Sequence, residues 1–118
     1  NGFWAMPAGA MELGESIAEC AAREVFEETG LTADEVLPFA MHTGADYTST
    51  NQWGDRYQLF VVSFLVPSWR GELVRETDET IDAGFFDPND LPEPLWPTVG
   101  ETLVDLAAFE ASGRLVLK

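Results

Sequence analysis

The amino-acid sequence predicts an α/β (or α+β) fold in which two helices pack on a mixed β-sheet. An acidic, amphipathic helix lies early in the chain, strand-like stretches fill the middle, and a second amphipathic helix lies near the C-terminus. Elements of this kind bury their apolar faces by packing helices on a sheet. The 118 residues, 46% of them hydrophobic, suffice for one core but not for two, so we expect residues 1–118 to form a single domain.

The first helix is predicted between a capping box and a terminal glycine. Ser16 and Glu19 can satisfy each other's exposed backbone N–H groups, and Gly30 is suited to end the helix. Apolar residues at helical spacing predict the face that packs on the core: Ile17, Ala18, Ala21, Ala22 and Val25. Before the helix we expect an extended segment and then an irregular loop, marked by Phe3, Trp4, Pro7, Gly9 and Gly14.

Strands are predicted where β-branched and aromatic residues cluster between turn signals. A strong strand is expected over residues 57–66, another over 36–41, and shorter ones over 72–75 and 84–86. The turn signals between them lie at residues 53–55 and 87–90.

The second helix is predicted to open with another capping box, Thr98 to Glu101, and to end at Gly113. Its apolar stripe comprises Val99, Leu103, Leu106 and Ala107.

Charge and composition exclude several classes of function. Six basic and 21 acidic residues give a formal net charge of −15, which repels duplex nucleic acid and anionic lipid. No apolar run is long enough to cross a membrane, and the first residues do not resemble a signal peptide. The single cysteine, Cys20, cannot form an internal disulfide, so we expect a reducing, cytoplasmic location. Cys20 also lacks the basic neighbours in the sequence that would favour a nucleophilic thiol.

Three glutamates of the first helix, Glu24, Glu27 and Glu28, fall on one face of it. Like charges at this spacing repel one another, so a neutralising partner is expected. Mg²⁺ suits the position because it prefers oxygen ligands and completes its shell with water and phosphate. Arg23 beside them can hold a carboxylate in a bidentate fork. The alternative interpretation is an ordinary exposed acidic helix face.

The spacing of these residues forms a longer pattern. It runs Gly9, five residues, Glu15, seven residues, Arg23-Glu24-Val25, one residue, Glu27-Glu28, one residue, Gly30-Leu31. This pattern resembles the Nudix box at every defined position. The resemblance extends to the lead-in at residues 4–9, where Ala8 replaces a common second glycine, and to residues 85–87 and 90–92.

The resemblance implies a Nudix-type α/β/α sandwich around a mixed sheet, and an enzyme that requires Mg²⁺ or Mn²⁺. In this family the last two glutamates of the box are the principal metal ligands, assisted by the first glutamate of the cluster and by a backbone carbonyl. In that order the ligands are Glu27, Glu28, Glu24 and Gly9. Glu24 is also a candidate catalytic residue, with Arg23, and Glu15 would support either the metal shell or Arg23.

A general base is expected from a carboxylate, because the only histidine, His42, lies on a predicted strand away from the box. Nudix proteins place the base in the box or on a late loop. The loop candidates are Glu76, Glu79 and Asp82. Glu79 is a candidate catalytic residue. Asp82 is a candidate metal ligand, because in many family members a metal-binding glutamate precedes the aromatic pair, here Phe85-Phe86, at this position. The alternative is solvated loop charge.

Arg56, Tyr47 and Trp53 are the candidate substrate-binding residues. Arg56 can contact phosphate, and the aromatic rings of Tyr47 and Trp53 can stack on a nucleobase. Arg75 and Trp96 are weaker candidates of the same kinds. Surface exposure of the arginines and ordinary packing of the aromatic rings are the alternatives.

The implied reaction is hydrolysis of a phosphoanhydride bond in a nucleoside diphosphate linked to another group. The expected partner is a small nucleotide: ADP-ribose, a nucleotide sugar or a nucleoside triphosphate. Tyr47, sixteen residues after Leu31, instead resembles dinucleoside polyphosphate hydrolases of the family, which are the first alternative. The second is a Nudix ligand-binding module without catalytic activity.

Nudix domains have further strands before the box, whereas only eight residues precede Gly9 here. We therefore expect the domain to be N-terminally incomplete, with strands either preceding Asn1 in a longer protein or supplied by a second copy in a homodimer.

Overall fold

The structure, a computed structural model, describes residues 2–118. Its elements follow in the order α1 (Ile17–Thr29), β1 (Thr32–His42), a short 3-10 helix (Ala45–Tyr47), β2 (Thr48–Thr50), β3 (Arg56–Gln58), β4 (Val61–Arg70), α2 (Thr98–Ser112) and β5 (Val116–Leu117). In this part of the chain no helix is both long and apolar enough to cross a membrane.

The central sheet is mixed, as predicted from the sequence. Its strand order is β4-β1-β5, with β1 antiparallel to β4 and parallel to β5. The predicted strand 36–41 is therefore the inner part of the longer strand β1. Strands β2 and β3 form a separate hairpin, whose turn at Gly54 has a φ of 85°. Both helices pack on β1, so β1 is the centre of the fold.

Helix α1 has the predicted boundaries because both capping signals form. The Ser16 hydroxyl accepts from the Glu19 N–H at 3.1 Å, and the Glu19 carboxylate accepts from the Ser16 N–H at 2.9 Å. Gly30 has a φ of 77° and donates to the Phe26 carbonyl at 2.8 Å. A side chain at Gly30 would also meet Val74 at 2.6 Å, so glycine is required here both by conformation and by space.

The core lies where α1, β1 and α2 meet. Its buried apolar residues are Cys20, Leu31, Phe39, Ala40 and Val99. Phe39 of β1 contacts Phe109 of α2, with ring centroids 6.3 Å apart. This packing fixes both helices against the same strand, and thereby fixes the position of the acidic face of α1.

The predicted single strand over residues 57–66 is wrong in its boundaries. The structure divides it into β3, which pairs with β2, and β4, which pairs with β1. Between them, the Leu59 N–H donates to the Tyr47 carbonyl at 2.7 Å. One stretch of sequence thus serves two sheets, and the chain must leave the first before it enters the second.

The short strands predicted over residues 72–75 and 84–86 do not form. A strand requires a neighbouring strand to pair with, and within residues 2–118 none lies beside these segments. The extended segment predicted at Phe3 and Trp4 is reduced to an isolated parallel bridge between Trp4 and Leu95.

The second predicted capping box, Thr98 to Glu101, is also wrong. Pro97 is the N-cap of α2 and already has helical angles, φ −55° and ψ −29°. Thr98 is therefore inside the helix, where its carbonyl accepts from the Thr102 hydroxyl at 2.9 Å. The predicted end at Gly113 is confirmed, with a φ of 71°.

Candidate metal and active site

Arg23 connects the loop before α1 to the acidic face of that helix. Its guanidinium group donates to both carboxylate oxygens of Glu15, at 2.6 and 3.0 Å. It also donates to Glu24 at 2.7 Å, to Glu27 at 3.1 Å and to the Ala10 carbonyl at 2.9 Å. Arg23 was expected to hold one of the three helix glutamates in a bidentate fork, but its bidentate partner is Glu15.

The contacts of Arg23 keep Glu15 ionised. Hydrogen bonds from the Arg23 guanidinium and from the Glu12 N–H lower the pKa of Glu15 to about 2, and the same pairing raises the pKa of Arg23. Both groups therefore stay charged at neutral pH. Their ion pair holds the loop at a fixed position beside α1.

Three carboxylates meet beside this ion pair. Oxygen atoms of Glu24, Glu28 and Glu79 all lie within 4.8 Å of one another, and we call these residues the carboxylate cluster. Glu24 and Glu28 are one turn apart on α1, whereas Glu79 comes from the segment between β4 and α2. The fold thus brings a late loop onto the helix face singled out by the sequence pattern.

The loop before α1 closes against the cluster at Ala8 and Gly9. The Ala8 N–H donates to the Glu28 carboxylate at 3.0 Å. A Cβ atom at Gly9 would lie 2.1 Å from the Glu24 carboxyl group, so only glycine leaves room for that carboxylate. Gly9, a predicted carbonyl ligand, therefore lies directly beside the cluster.

The electrostatics of the cluster favour a cation. Burial, helped by the neighbouring Glu24 and Glu79 carboxylates, raises the pKa of Glu28 to about 7 against the opposing Ala8 hydrogen bond. Oxygen ligands grouped at this separation match the preference of Mg²⁺. The residues present therefore fit a hard divalent ion.

A cleft of about 300 Å³ opens beside the cluster, lined by Glu27, Thr77, Asp78 and Glu79. Glu27, a predicted principal ligand, is exposed here and contacts Arg23 rather than the cluster. The cleft is therefore acidic on both sides, with the helix on one and the loop containing Glu79 on the other.

The two other loop candidates lie outside the cluster. The Asp82 carboxylate accepts from the Arg75 guanidinium at 2.9 and 3.3 Å and from the Ala83 N–H at 2.8 Å. These contacts lower the pKa of Asp82. Glu76 is exposed and is not part of the cluster. Of the three loop carboxylates, Glu79 is the one that reaches the predicted metal site.

The candidate substrate-binding residues lie on or next to the β2–β3 hairpin. Arg56 is exposed on β3, and Trp53 at the hairpin turn is 77% exposed. Tyr47 is half-buried, and its hydroxyl lies 2.8 Å from Nδ1 of His42. Arg56 and Trp53 are thus free to contact a ligand, whereas the Tyr47 hydroxyl is engaged by His42.

His42 belongs to a second polar group, which the sequence analysis missed. Its Nε2 lies 2.7 Å from Asp105 of α2, and Asp105 also accepts from Lys118 at 2.9 Å. Burial alone would raise the pKa of Asp105, but the hydrogen bonds from Lys118 and His42 outweigh it and lower the pKa. Every member has a partner within the protein, which makes this a structural network.

No sequence signal identifies that network, because Asp105 and His42 are 63 positions apart. Thr77 and Asp78 of the cleft were also missed, since an irregular loop has no periodicity to show which side chains face inward. Only the proximity of both residues to Glu79 in the sequence could have suggested their position.

The fold and the site together define a small α/β protein with an acidic loop–helix–loop site. Comparison with known proteins identifies its family: the NUDIX domain model matches residues 1–106. The chain therefore belongs to the Nudix hydrolase family.

Named relatives and a solved structure agree with this assignment. The chain is 31% identical to the NAD-capped RNA hydrolase NudC of Vibrio cholerae, over 94% of this chain and 40% of that protein. It is 34% identical to the ADP-ribose pyrophosphatase of Methanocaldococcus jannaschii, over 79% of this chain and 51% of the relative. The MutT crystal structure from Bacillus halodurans has the same fold, with a TM-score of 0.72, 24% identity and coverage of 98% of this chain and 72% of that one.

Proposed function

We propose that this chain hydrolyses a phosphoanhydride bond in a nucleoside diphosphate linked to another group, with Mg²⁺ or Mn²⁺ at the carboxylate cluster. The observation that carries the proposal is the approach of Glu79 to Glu24 and Glu28 within 4.8 Å. A late loop and the box helix contribute oxygen ligands to one position beside an open cleft. The alternative interpretation, an ordinary exposed acidic helix face, does not explain why Glu79 lies so close to Glu24 and Glu28.

Glu24, Glu28 and Glu79 would hold the ion, with Glu27 and the Gly9 carbonyl as further ligands. When bound, a divalent ion neutralises charge on the diphosphate and favours ionisation of the attacking water. Asp82 has no part in the proposal, because its carboxylate lies outside the cluster and pairs with Arg75.

The protein's own groups orient the reactants and move the proton. Arg23 fixes the rotamer of Glu24 and, through Glu15, holds the Gly9 loop beside it. Glu79 lines the cleft, and we assign its second carboxylate oxygen, the one that would not hold the ion, as the general base that takes the proton of the attacking water. Arg56 would contact the phosphates, and Trp53 and Tyr47 would contact the base.

The relatives support a substrate in which a diphosphate links a nucleoside to a second group. One is named for ADP-ribose and the other for an NAD cap, and both compounds contain this linkage. ADP-ribose, a nucleotide sugar or a nucleoside triphosphate is therefore our first proposal. A dinucleoside polyphosphate is the second, favoured by the position of Tyr47. A module without catalytic activity is disfavoured because every box carboxylate is present.

Compartment and assembly are proposed from the sequence of the chain. The buried Cys20 thiol is the only cysteine of the chain, which favours a reducing compartment such as the cytoplasm. A homodimer stays a prediction, which light scattering of the purified chain would check.

The proposal is tested by assaying the purified chain on a panel of ADP-ribose, NAD, nucleotide sugars, nucleoside triphosphates and dinucleoside polyphosphates. Hydrolysis is expected with Mg²⁺ or Mn²⁺ and is expected to stop with a chelator. Glu28→Gln and Glu79→Gln should each lower kcat/KM by about a hundredfold or more, because each removes a ligand or the base. Glu110→Gln, an exposed change on α2, is the matched control and should have no effect. Full activity of Glu28→Gln would show that the site is elsewhere.

A further inference from the structure

Most of the basic residues of this chain form ion pairs with its own carboxylates. The chain has six, and four of them form ion pairs in the structure. The pairs are Arg23 with Glu15, Arg70 with Asp34, Arg75 with Asp82, and Lys118 with Asp105. Within residues 2–118 only Arg56 and Arg114 have no carboxylate partner, and both are exposed.

The cleft beside the proposed site is negatively charged. Three of the four residues lining the cleft are acidic, namely Glu27, Asp78 and Glu79. Glu24 and Glu28 lie beside them, and the whole chain has a formal net charge of −15. Arg23, which contacts Glu24 and Glu27, and one divalent ion together neutralise only part of this local charge. The surroundings of the cleft therefore stay negative when the site is loaded.

This charge distribution acts differently on small and on polymeric substrates. Under the proposed function, the few charges of a free nucleotide would be met by the divalent ion and by Arg56. An RNA chain adds one negative charge per nucleotide, and binding such a chain requires several lysine or arginine contacts to its phosphates. At physiological salt, charges interact over about 8 Å, so the first nucleotides beyond the cleft still experience the acidic surface.

We propose that the acidic rim of the cleft, which includes Asp78, is an electrostatic filter. It admits free nucleotides and excludes the same diphosphate linkage when that linkage lies at the 5′ end of an RNA. This inference rests on the proposed hydrolase function. It separates this chain from a relative whose name specifies a capped RNA substrate, a difference that the family assignment alone does not indicate.

The first test compares free NAD with an RNA of about twenty nucleotides bearing NAD at its 5′ end, each assayed at about 50 and about 300 mM KCl. At low salt, kcat/KM for the capped RNA should be lower by about tenfold or more. The difference should shrink by about threefold at high salt, because salt screens repulsion. Equal or faster cleavage of the capped RNA would overturn the filter, as would a difference that does not respond to salt.

A binding measurement keeps the inference testable if the chain cleaves neither compound, which would count against the proposed function for this linkage. Fluorescence anisotropy of a labelled RNA of the same length should show no binding at protein concentrations up to about 10 µM at low salt. Binding that weakens as salt increases would overturn the filter, whether or not hydrolysis is detected.

Two charge-reversal variants locate the filter. Asp78→Lys changes the charge at the cleft, and Glu110→Lys makes the same change on the exposed surface of α2. The readout is the ratio of kcat/KM for capped RNA to kcat/KM for free NAD, measured at low salt. Asp78→Lys should shift this ratio toward RNA by about threefold or more, and Glu110→Lys should shift it less. Equal shifts would show that net charge rather than the cleft decides, and would overturn the role of Asp78.

Discussion

Gly9 and Glu28 show how single residues build the site. Gly9 leaves the space that the Glu24 carboxyl group fills, and the Ala8 N–H beside it binds Glu28. Burial and two neighbouring carboxylates give Glu28 a raised pKa, which a cation would reverse. Without a bound cation, the repulsion between Glu28 and the two neighbouring carboxylates is therefore unrelieved.

Gly9→Ala is expected to lower kcat/KM by about tenfold or more. The added Cβ would lie 2.1 Å from the Glu24 carboxyl group and would therefore displace it. Gly100→Ala is the matched control, since a Cβ there meets nothing within 4 Å and lies in a helix. That control should keep full activity and raise the melting temperature, because alanine stabilises helix interiors by about 0.5–1 kcal/mol over glycine. Unchanged activity of Gly9→Ala would contradict the close approach.

Glu28 predicts an unusual pH dependence of stability without metal. Its folded pKa, about 7, is above the ordinary value of 4.5, so the folded state binds the proton more tightly. The corresponding stability is fully present below pH 4.5 and is lost as pH rises through 7. Melting in chelator should therefore occur at lower temperature at pH 8 than at pH 5.

Glu28→Gln is the control for this pH effect, and it should flatten the dependence over that window. The lowered pKa of Glu15 acts in another range, because its contribution is lost only as pH falls from 4.5 toward 2. A melting temperature that rises from pH 5 to pH 8 in the wild-type chain would contradict the assigned environment of Glu28.

The box residues were identified from the sequence because a regular helix converts spacing into position. Glu24 and Glu28, four apart, lie on one face in the structure as predicted. The loop carboxylates have no such rule. Glu76, Glu79 and Asp82 were all candidates from the sequence, and only the folded path of the loop brings Glu79 to the cluster.

At the scale of elements, local signals succeeded where they are self-contained. The caps of α1 and the terminal glycines of both helices satisfy their own backbone groups and formed as predicted. Strand boundaries failed because pairing is decided by distant segments: residues 57–66 divide between two sheets. Thr98 failed as a cap because Pro97 enters the helix first.

The contact between β1 and α2 predicts a large loss of stability for Asp105→Ala. Asp105 is 2% exposed and accepts from His42 and Lys118. Removing one partner of a buried charge network costs about 3–5 kcal/mol. Urea denaturation should show a loss of this size, whereas the exposed Glu110→Ala should change the free energy of unfolding by no more than about 0.5 kcal/mol. Equal effects of both variants would refute the network.

At the scale of the whole molecule, the sequence predicted the mixed sheet and the family, and the fold of a solved MutT structure agrees. The outer edges of β4 and β5 are unpaired within residues 2–118, so the expected additional strands stay a prediction. The chain spans 40% of the length of the NudC relative and 51% of the length of the ADP-ribose pyrophosphatase. The full activities of these relatives are therefore only proposals for this chain.

The proposed hydrolysis depends on a divalent ion at the carboxylate cluster. Calorimetric titration of Mn²⁺ into the metal-free chain measures this binding directly. Wild-type protein should bind the ion, and Glu28→Gln should bind it about tenfold more weakly or worse, because one ligand charge is lost from the cluster. Glu110→Gln should match the wild type. Binding that is absent in the wild type, or unchanged in Glu28→Gln, would contradict the assignment of the metal site to Glu24, Glu28 and Glu79.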